Sequence, residues 1–362
     1  MNRQILRLCV LFSLVLSSPS VPAQVLPVEE EVSRLSKLPQ DDPTYASLFD
    51  RAGDPRELYE AFLEGTEKAN DDWQRGQSEL KKLTDFGSTK TLVILPLVDW
   101  HVANDGLAGG SGVAYLVRTD DATILFDVGV NAQEEDPSPL LRNMRRLEVD
   151  LRQIDAIVIS HPHADHTGGG KWARKGSFSL TNQQVDLGEI RVYTPSPMQY
   201  PDIEVQYTEN PTVIAPGVVT TGVITNHYFF MGETPEQALA VNVEGKGIVV
   251  IVGCGHQTLT KIVDRAEALF DAPLFGVLGG LHYAVTKGRN IDIHRYVGTG
   301  KLPGKFVTIE EVRANADYLK MREIGVVGLS PHDSCDTSIE VFKQSFPDAF
   351  TEIVVGQEIV IP

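Results

Sequence analysis

The pattern of hydrophobic and polar positions changes near residue 90. From there, short apolar runs rich in branched residues, at 91–97, 113–119 and 123–127, are bounded by turn residues and predict strands. A segment with apolar residues at helical spacing follows at 137–147 and predicts a helix. Such alternation of strands and helices predicts a layered α/β domain over residues 86–362.

The same alternation continues through the rest of this domain. The further predicted strands are 154–160, 189–193, 203–207, 218–224, 238–244, 247–253, 273–278, 325–330 and 351–361, and the further predicted helices are 257–270, 308–321 and 337–345.

Residues 24–85 have a different composition, since they are charged and poor in β-branched residues. They predict helices at 28–37 and 56–82, separated by a stretch at 39–55 that contains Pro, Asp and Gly. We interpret them as an N-terminal helical extension packed on the main domain. A cap on the substrate side of that domain is the more specific alternative.

The first 23 residues are typical of a cleaved secretory signal. Arg3 and Arg7 give a basic start, residues 6–16 are mostly apolar, and Val21-Pro22-Ala23 offers small residues for cleavage. The apolar run is too short to span a bilayer, although a membrane anchor is the alternative. We therefore predict a periplasmic or secreted protein whose mature form has no membrane span.

The charge of the chain argues against a nucleic-acid substrate. Its net charge of −17 becomes −19 after loss of residues 1–23, which carry two arginines and no acid, and such a surface repels phosphate backbones. A small anionic substrate remains compatible, because a metal site creates its own positive field. The mature chain keeps Cys254 and Cys335, and the sequence leaves open whether they form a disulfide.

Three histidines and an aspartate lie within six positions directly after the predicted strand 154–160: His161, His163, Asp165 and His166. His161 and His163 are two positions apart in extended backbone, so their side chains point to the same side. We predict that this pair binds one metal ion and that Asp165 and His166 bind a neighbouring one. Imidazole and carboxylate suit zinc, iron and manganese.

This run resembles the His-x-His-x-Asp-His signature of the metallo-β-lactamase superfamily. The resemblance extends over residues 90–362 and includes Asp127, in Phe126-Asp127-Val128-Gly129, at the position of an aspartate that braces the metal loops in that superfamily. It implies a four-layer αββα sandwich, here with an N-terminal helical extension, and two divalent metal ions.

Three further segments resemble the dihydropterin-ribofuranosyl-aminobenzene phosphate synthase-like branch of metal-dependent hydrolases. They are Gly253-Cys254-Gly255-His256, Gly279-Gly280-Leu281-His282 and Ser330-Pro331-His332, each at the carboxyl end of a predicted strand. The resemblance implies that His256 and His332 are metal ligands. For His282 we favour substrate contact or proton transfer over ligation.

Cys254 departs from the superfamily pattern, which mostly places a metal-bridging aspartate at this strand end. Zinc β-lactamases carry a cysteine ligand there, so both a thiolate ligand, which would favour zinc, and a small buried residue fit the sequence. His227 lies about where the superfamily has a lone histidine ligand, and a loop residue is the alternative. His101 and His294 have no ligand pattern around them, and we interpret them as surface or pocket-rim residues.

Together these features predict an exported hydrolase of a small-molecule ester, phosphoester, lactone or amide. A divalent metal lowers the pKa of its bound water from ~15.7 to about 7, which supplies metal-bound hydroxide as the nucleophile. Zinc is favoured, with iron or manganese as alternatives. Asp165 would orient the hydroxide, and His282 would protonate the leaving group or hold the substrate.

Two other functions fit the same residues. One is an iron-based redox protein on the same fold, and the other is a non-enzymatic protein that binds a metal or ligand. We expect specificity to reside in the loops 101–112 and 283–306, and in 24–85 if that extension is a cap.

Overall fold

The computed structural model describes residues 27–289 and 292–362. The predicted signal segment, 1–23, lies outside the described residues. Within the described ranges, no helix has both the length and the apolar composition needed to cross a membrane.

Two large mixed β-sheets and one separate hairpin make up the strands. Their bounds are β1 (Leu92–Val98), β2 (Ala114–Arg118), β3 (Thr123–Phe126), β4 (Ala156–Val158), β5 (Arg191–Thr194), β6 (Val205–Tyr207), β7 (Thr212–Ala215), β8 (Val218–Thr220), β9 (Ile224–Tyr228), β10 (Gly232–Glu236), β11 (Leu239–Val243), β12 (Gly247–Val252), β13 (Leu274–Gly279), β14 (Val326–Leu329) and β15 (Ile359–Ile361).

Helices cover the outer faces of the sheets and form the N-terminal extension. Their bounds are α1 (Val28–Leu35), α2 (Leu38–Asp41), α3 (Pro43–Ala52), α4 (Pro55–Glu79), α5 (Pro139–Arg146), α6 (Gly170–Ala173), α7 (Leu259–Leu269), α8 (Ile309–Lys320) and α9 (Asp336–Ser345).

The sheets stack face to face. The first has the order β15-β1-β2-β3-β4-β5-β6, and the second has the order β14-β13-β12-β11-β8-β7. A fully buried core that includes Tyr115 and Phe126 of the first sheet and Val241 and Ile251 of the second fills the space between them. Helix α5 packs on the outside of the first sheet, and α7, α8 and α9 pack on the outside of the second. The predicted four-layer αββα sandwich is confirmed.

The direction of the strands determines where the functional loops lie. Strands β3, β4 and β5 are parallel in the first sheet, and β12, β13 and β14 are parallel in the second. Carboxyl ends of parallel strands meet at one edge of a sheet. The loops after β4, β12, β13 and β14 carry the predicted site residues, so each sheet delivers its candidates to a single edge.

Gly253 allows these two edges to approach each other closely. A Cβ atom at this position would lie 2.2 Å from Ser160 Oγ, a distance at which the atoms would clash. The loop that follows β12 therefore contacts the loop that follows β4 through a residue with no side chain. A side chain at 253 would therefore require Ser160, beside the first ligands, to shift.

The N-terminal extension is more helical than the sequence analysis predicted. The stretch 39–55, expected to separate two helices, contains α2 and α3. The prediction was wrong because Pro43 occupies the first position of α3, where proline favours helix initiation. Asp42 caps that helix, and its Oδ1 accepts a hydrogen bond from Thr44 N at 2.8 Å.

The extension packs on the hairpin β9–β10 through an aromatic cluster. Tyr45, Phe49 and Phe62 are buried against Phe229 and Phe230, which lie in the hairpin turn. The ring centroids of Phe49 and Phe230 are 5.1 Å apart in an edge-to-face arrangement. The extension is thus joined to the sandwich by an apolar interface of its own.

The hairpin itself was missed by the sequence analysis. The predicted strand 218–224 ends at Thr220, and the chain turns at Gly222 before β9 begins. Strands β9 and β10 contain several polar residues, and Pro235 lies inside β10, so they lack the alternation that signals a strand. The predicted final strand 351–361 is likewise reduced to β15.

We predict that Phe49→Ala lowers the free energy of unfolding by about 3 kcal/mol, because Phe49 is only 7% exposed and packs in the aromatic cluster. Chemical denaturation measures this change. Val213→Ala is the control, since Val213 is 47% exposed and its truncation should cost less than ~0.5 kcal/mol. Equal effects of the two substitutions would show that the cluster does not anchor the extension.

Candidate metal centre

The residues that the sequence analysis selected converge at the shared edge of the two sheets. They form two main groups, and within each group all the potential ligand atoms lie within 4.8 Å of one another. The first group is His161, His163 and His256, and the second is Asp165, His166, Cys254 and His332. A further group of Cys254, His256 and His282 overlaps both.

Asp127 orients two histidines of the centre. Its Oδ2 accepts a hydrogen bond from His166 Nδ1 at 2.7 Å and another from Ser160 Oγ at 2.7 Å. Because the Ser160 hydroxyl donates to Asp127, its oxygen accepts from His161 Nδ1 at 2.9 Å. Asp127 therefore fixes His166 directly and His161 through Ser160, an arrangement that we call the first carboxylate relay.

Asp99 repeats this arrangement for His332. Ser330 Oγ donates to Asp99 Oδ2 at 2.6 Å and accepts from His332 Nδ1 at 2.5 Å. Tyr115 Oη donates to the same carboxylate oxygen at 2.7 Å. Asp99, Ser330 and His332 form the second carboxylate relay. The sequence analysis missed Asp99, Ser160 and Ser330, although each serine lies within two positions of a histidine that was selected.

The two relays settle which nitrogen of each histidine faces the centre. With Nδ1 of His161, His166 and His332 donating, each Nε2 faces the centre. Nε2 carries a lone pair in the neutral rings of His161 and His332, and in His166 once that ring loses its second proton. Nε2 of His161 is buried with no hydrogen-bond partner among the described residues. Nε2 of His166 and Nε2 of His332 each lie 3.2 Å from Cys254 Sγ. Histidine ligands of metals are held by such outer contacts to their other nitrogen.

The spacing of the donor atoms fits divalent ions. His163 Nδ1 and His256 Nε2 are 3.1 Å apart. Two nitrogens bound to one tetrahedral zinc at ~2.05 Å lie about 3.3 Å from each other. The donor set of imidazoles, one carboxylate and one thiol also fits zinc, and its buried unpartnered nitrogens need a cation or protons.

Electrostatics in the cluster favour a bound cation. Burial lowers the pKa of His161, His256 and His332 well below the usual value, and it lowers that of His163 to about 4, so these rings are neutral donors. Burial also disfavours the charged form of His166, yet the carboxylates of Asp165 and Asp127 raise its pKa well above normal. These two carboxylates therefore favour positive charge at this point, carried by the ring or by a bound cation.

Buried carboxylates also shape the loops that carry the ligands. Glu236 Oε1 accepts hydrogen bonds from the backbone N–H groups of Cys254 at 3.1 Å and Gly255 at 3.0 Å. Burial raises the pKa of Glu236 to about 7. Asp333 Oδ2 accepts from His282 N at 2.9 Å, and His282 has the unusual φ of +57°. These contacts hold the turns after β12 and β13 in place.

His282 lies beside the second sheet's ligands. Its Nε2 donates to the carbonyl oxygen of Val297 at 3.0 Å, so Nδ1 is left as an acceptor, buried and without a hydrogen-bond partner among the described residues. Burial lowers the pKa of His282 to about 3. This geometry suits a group that accepts a hydrogen bond or binds metal, and the role predicted for His282 stays a prediction.

The remaining histidines and Cys335 are placed differently. His227 lies on β9 and packs on Phe62 of α4 at 6.4 Å between ring centroids, so it faces the extension. His101 is exposed. His294, interpreted from the sequence as a surface or pocket-rim residue, lies 5.0 Å from His282 between ring centroids. Cys254 and Cys335 are both free thiols.

Part of the chain matches a known protein family. Residues 107–258 match the sequence profile described as the metallo-beta-lactamase superfamily. Over these residues the chain is similar to that superfamily. The match contains the His161–His166 run and extends to His256, which agrees with the resemblance inferred from the sequence.

Individual proteins are also similar to this chain over part of its length. The chain is 23% identical to 7,8-dihydropterin-6-methyl-4-(beta-D-ribofuranosyl)-aminobenzene-5'-phosphate synthase of Methanocaldococcus jannaschii, over 55% of this chain and 80% of the relative. An uncharacterized protein of the same organism is 26% identical over 47% of this chain and 72% of its own length. The crystal structure of a metal-dependent hydrolase of the beta-lactamase superfamily is 19% identical, with a TM-score of 0.48, covering 74% of this chain and 98% of that protein.

We predict that Ser330→Ala weakens zinc binding by about 10- to 100-fold, because the site would lose the contact that orients His332. Competition with a chelating indicator measures the dissociation constant. Ser177→Ala is the control, since the Ser177 hydroxyl donates to the Gln199 carbonyl oxygen outside the centre. Zinc affinity within twofold of the native value in Ser330→Ala would refute the second relay.

Removal of metal should destabilise the folded chain at neutral pH, because the buried cluster loses the cation that its carboxylates and thiol attract. A ligand present at 1,000 times its dissociation constant adds about 4 kcal/mol, which corresponds to roughly 5–10 °C in a domain of this size. Thermal unfolding with and without a chelator measures the change. Magnesium should not restore the lost stability, since it prefers oxygen ligands; unfolding that is indifferent to zinc would contradict the account.

Proposed function

We propose that the protein is an exported metal-dependent hydrolase of a small molecule, with two divalent ions held by the two ligand groups. The observation that carries this proposal is the convergence of oriented imidazole nitrogens, one carboxylate and one thiol at a single edge of the sandwich. Export is proposed from residues 1–23, whose composition is typical of a secretory signal.

His161, His163 and His256 would hold one ion, and Asp165, His166, His332 and Cys254 would hold the other. Zinc is favoured over iron or manganese because Cys254 Sγ lies 3.2 Å from both His166 Nε2 and His332 Nε2. Burial keeps the Cys254 thiol protonated by raising its pKa, so ligation would require loss of that proton to a bound cation.

Bound divalent ions supply hydroxide at neutral pH and polarise the oxygen of an ester, phosphoester, lactone or amide. The residues of the chain supply orientation. Asp165 Oδ2 lies 3.4 Å from His166 Nε2, and the charge and hydrogen bond of His166 hold the pKa of Asp165 well below normal despite its burial. Asp165 is therefore a carboxylate at neutral pH, able to accept a proton of the attacking water in a hydrogen bond.

His282 would contact the substrate rather than donate a proton to it. The one N–H of its neutral ring, at Nε2, donates to the Val297 carbonyl oxygen. Its Nδ1 has no hydrogen-bond partner among the described residues and can accept a hydrogen bond. A substrate hydroxyl or amide N–H is the group that this nitrogen would bind. The leaving group would then take its proton from water or from another residue.

The test is a metal-loaded assay with a panel of ester, phosphodiester, lactone and amide substrates. We expect turnover with at least one class, loss of activity with a chelator, and a fall of at least ~100-fold in Asp165→Ala. Asp186→Ala is the matched control, since Asp186 is exposed and its Oδ1 accepts a hydrogen bond only from Gly188 N in the same loop, among the described residues. Bound zinc without turnover of any substrate in the panel, or native rates in Asp165→Ala, would overturn the proposal.

A further inference from the structure

The segment 292–304 lies directly against the metal centre. It begins with a short 3-10 helix, Asp292–Arg295, that carries His294. The ring centroid of His294 is 5.0 Å from that of His282 and 6.3 Å from that of His332. One side chain of this segment therefore faces histidines of two separate strand ends.

The backbone of the same segment also touches the site. The Val297 carbonyl oxygen accepts the hydrogen bond from His282 Nε2. A Cβ atom on Gly298 would lie 2.6 Å from His282 Nε2 and 3.0 Å from His256 Cε1. The segment is in van der Waals contact with the site at a position where only glycine fits, so small shifts of it would change the site.

A cavity of about 190 Å³ opens beside His282 and is bounded by this segment. Gly298, Thr299 and Lys301 line one side, and His282 and Tyr283 line another. Tyr283 Oη is buried and has no hydrogen-bond partner among the described residues. A polar group of a substrate that enters this cavity would satisfy that hydroxyl.

The N-terminal extension holds the segment in this position. Tyr296 Oη donates to Asp42 Oδ2 at 2.8 Å, and Gly304 N donates to Tyr45 Oη at 2.5 Å. The rings of Tyr45 and Tyr296 meet edge to face with centroids 5.0 Å apart. The segment 292–304 is thus fixed at Tyr296 and at Gly304 by the start of α3. Helix α3 in turn packs on the hairpin β9–β10 through the aromatic cluster.

We propose that the N-terminal extension is part of the substrate site: Asp42 and Tyr45 fix the segment 292–304, and this segment presents His294 to the substrate above the metal centre. His294 contacts an oxygen of the substrate through a hydrogen bond. Asp42, Tyr45 and Tyr296 are positioning residues that act through His294. The expected effects on turnover rest on the proposed hydrolase function. The contact between the extension and the segment 292–304 does not depend on that function.

The first experiment substitutes His294 in the zinc-loaded full chain. His294→Ala should lower kcat/KM by about 10- to 100-fold and weaken binding of inorganic phosphate several-fold, with unchanged zinc content. His294→Gln should restore part of both, since its amide still donates a hydrogen bond. Native phosphate affinity and native kcat/KM in His294→Ala would overturn the assignment of His294.

The second experiment tests the extension. Asp42→Asn and Tyr296→Phe should increase amide hydrogen exchange in the segment 292–304 and raise KM more than they lower kcat. Combined with His294→Ala, their effects on kcat/KM should be less than additive, because they act through the same side chain. Lys68→Gln is the control, since Lys68 joins the extension to Glu233 on the surface at 3.0 Å, away from the segment.

The outcomes separate this inference from the proposed function. Exchange and phosphate binding need no turnover, so they remain decisive even if no substrate in the panel is hydrolysed. Faster exchange in Asp42→Asn together with native phosphate affinity would show that the extension holds the segment without serving the site, and would overturn the proposal. Unchanged exchange in both variants would overturn the contact itself.

Discussion

The structure depends on two carboxylates, Asp127 and Asp99, buried directly behind the histidines of the metal centre. A buried carboxylate is costly unless it accepts several hydrogen bonds, and each of these accepts at least three. Burial raises the pKa of Asp99 only to about 6, so it is still a carboxylate at neutral pH. Its negative charge orients Ser330 and, through it, His332. The orientation of the ligands is therefore built into the core of the protein and does not depend on surface loops.

The relays also explain why two sheets are needed. Asp127 follows β3 and Ser160 follows β4, both in the first sheet, whereas Asp99 follows β1 of the first sheet and binds Ser330 after β14 of the second. The second relay thus links the sheets at the edge where the ligands converge. Gly253 allows the same close approach beside Ser160. A change in the spacing of the sheets would separate the two ligand groups, so the packing of the core and the chemistry of the centre are coupled.

Most of the candidate ligands could be predicted from the sequence, because each lies directly after a strand that the local pattern of apolar residues predicts. The run His161–His166 follows a buried strand, and the histidines at 256, 282 and 332 each follow another, so strand periodicity placed them at one edge. Asp99 and the extension could not be placed in this way. Asp99 reaches Ser330 across 231 positions of sequence, and a lone aspartate after a strand carries no local signal. His294 lies on a short helix whose position depends on contacts with Asp42 and Tyr45, which only the folded chain brings together.

The relays direct Nε2 of His161, His166 and His332 toward the place where the metal ions would bind. Nitrogen-15 NMR of the zinc-loaded full chain labelled in histidine tests it directly, because protonated, unprotonated and metal-bound ring nitrogens have distinct shifts and proton couplings. We expect these three rings to carry their proton on Nδ1 and to bind zinc through Nε2. Rings protonated on Nε2, or zinc bound through Nδ1 in any of the three, would contradict it.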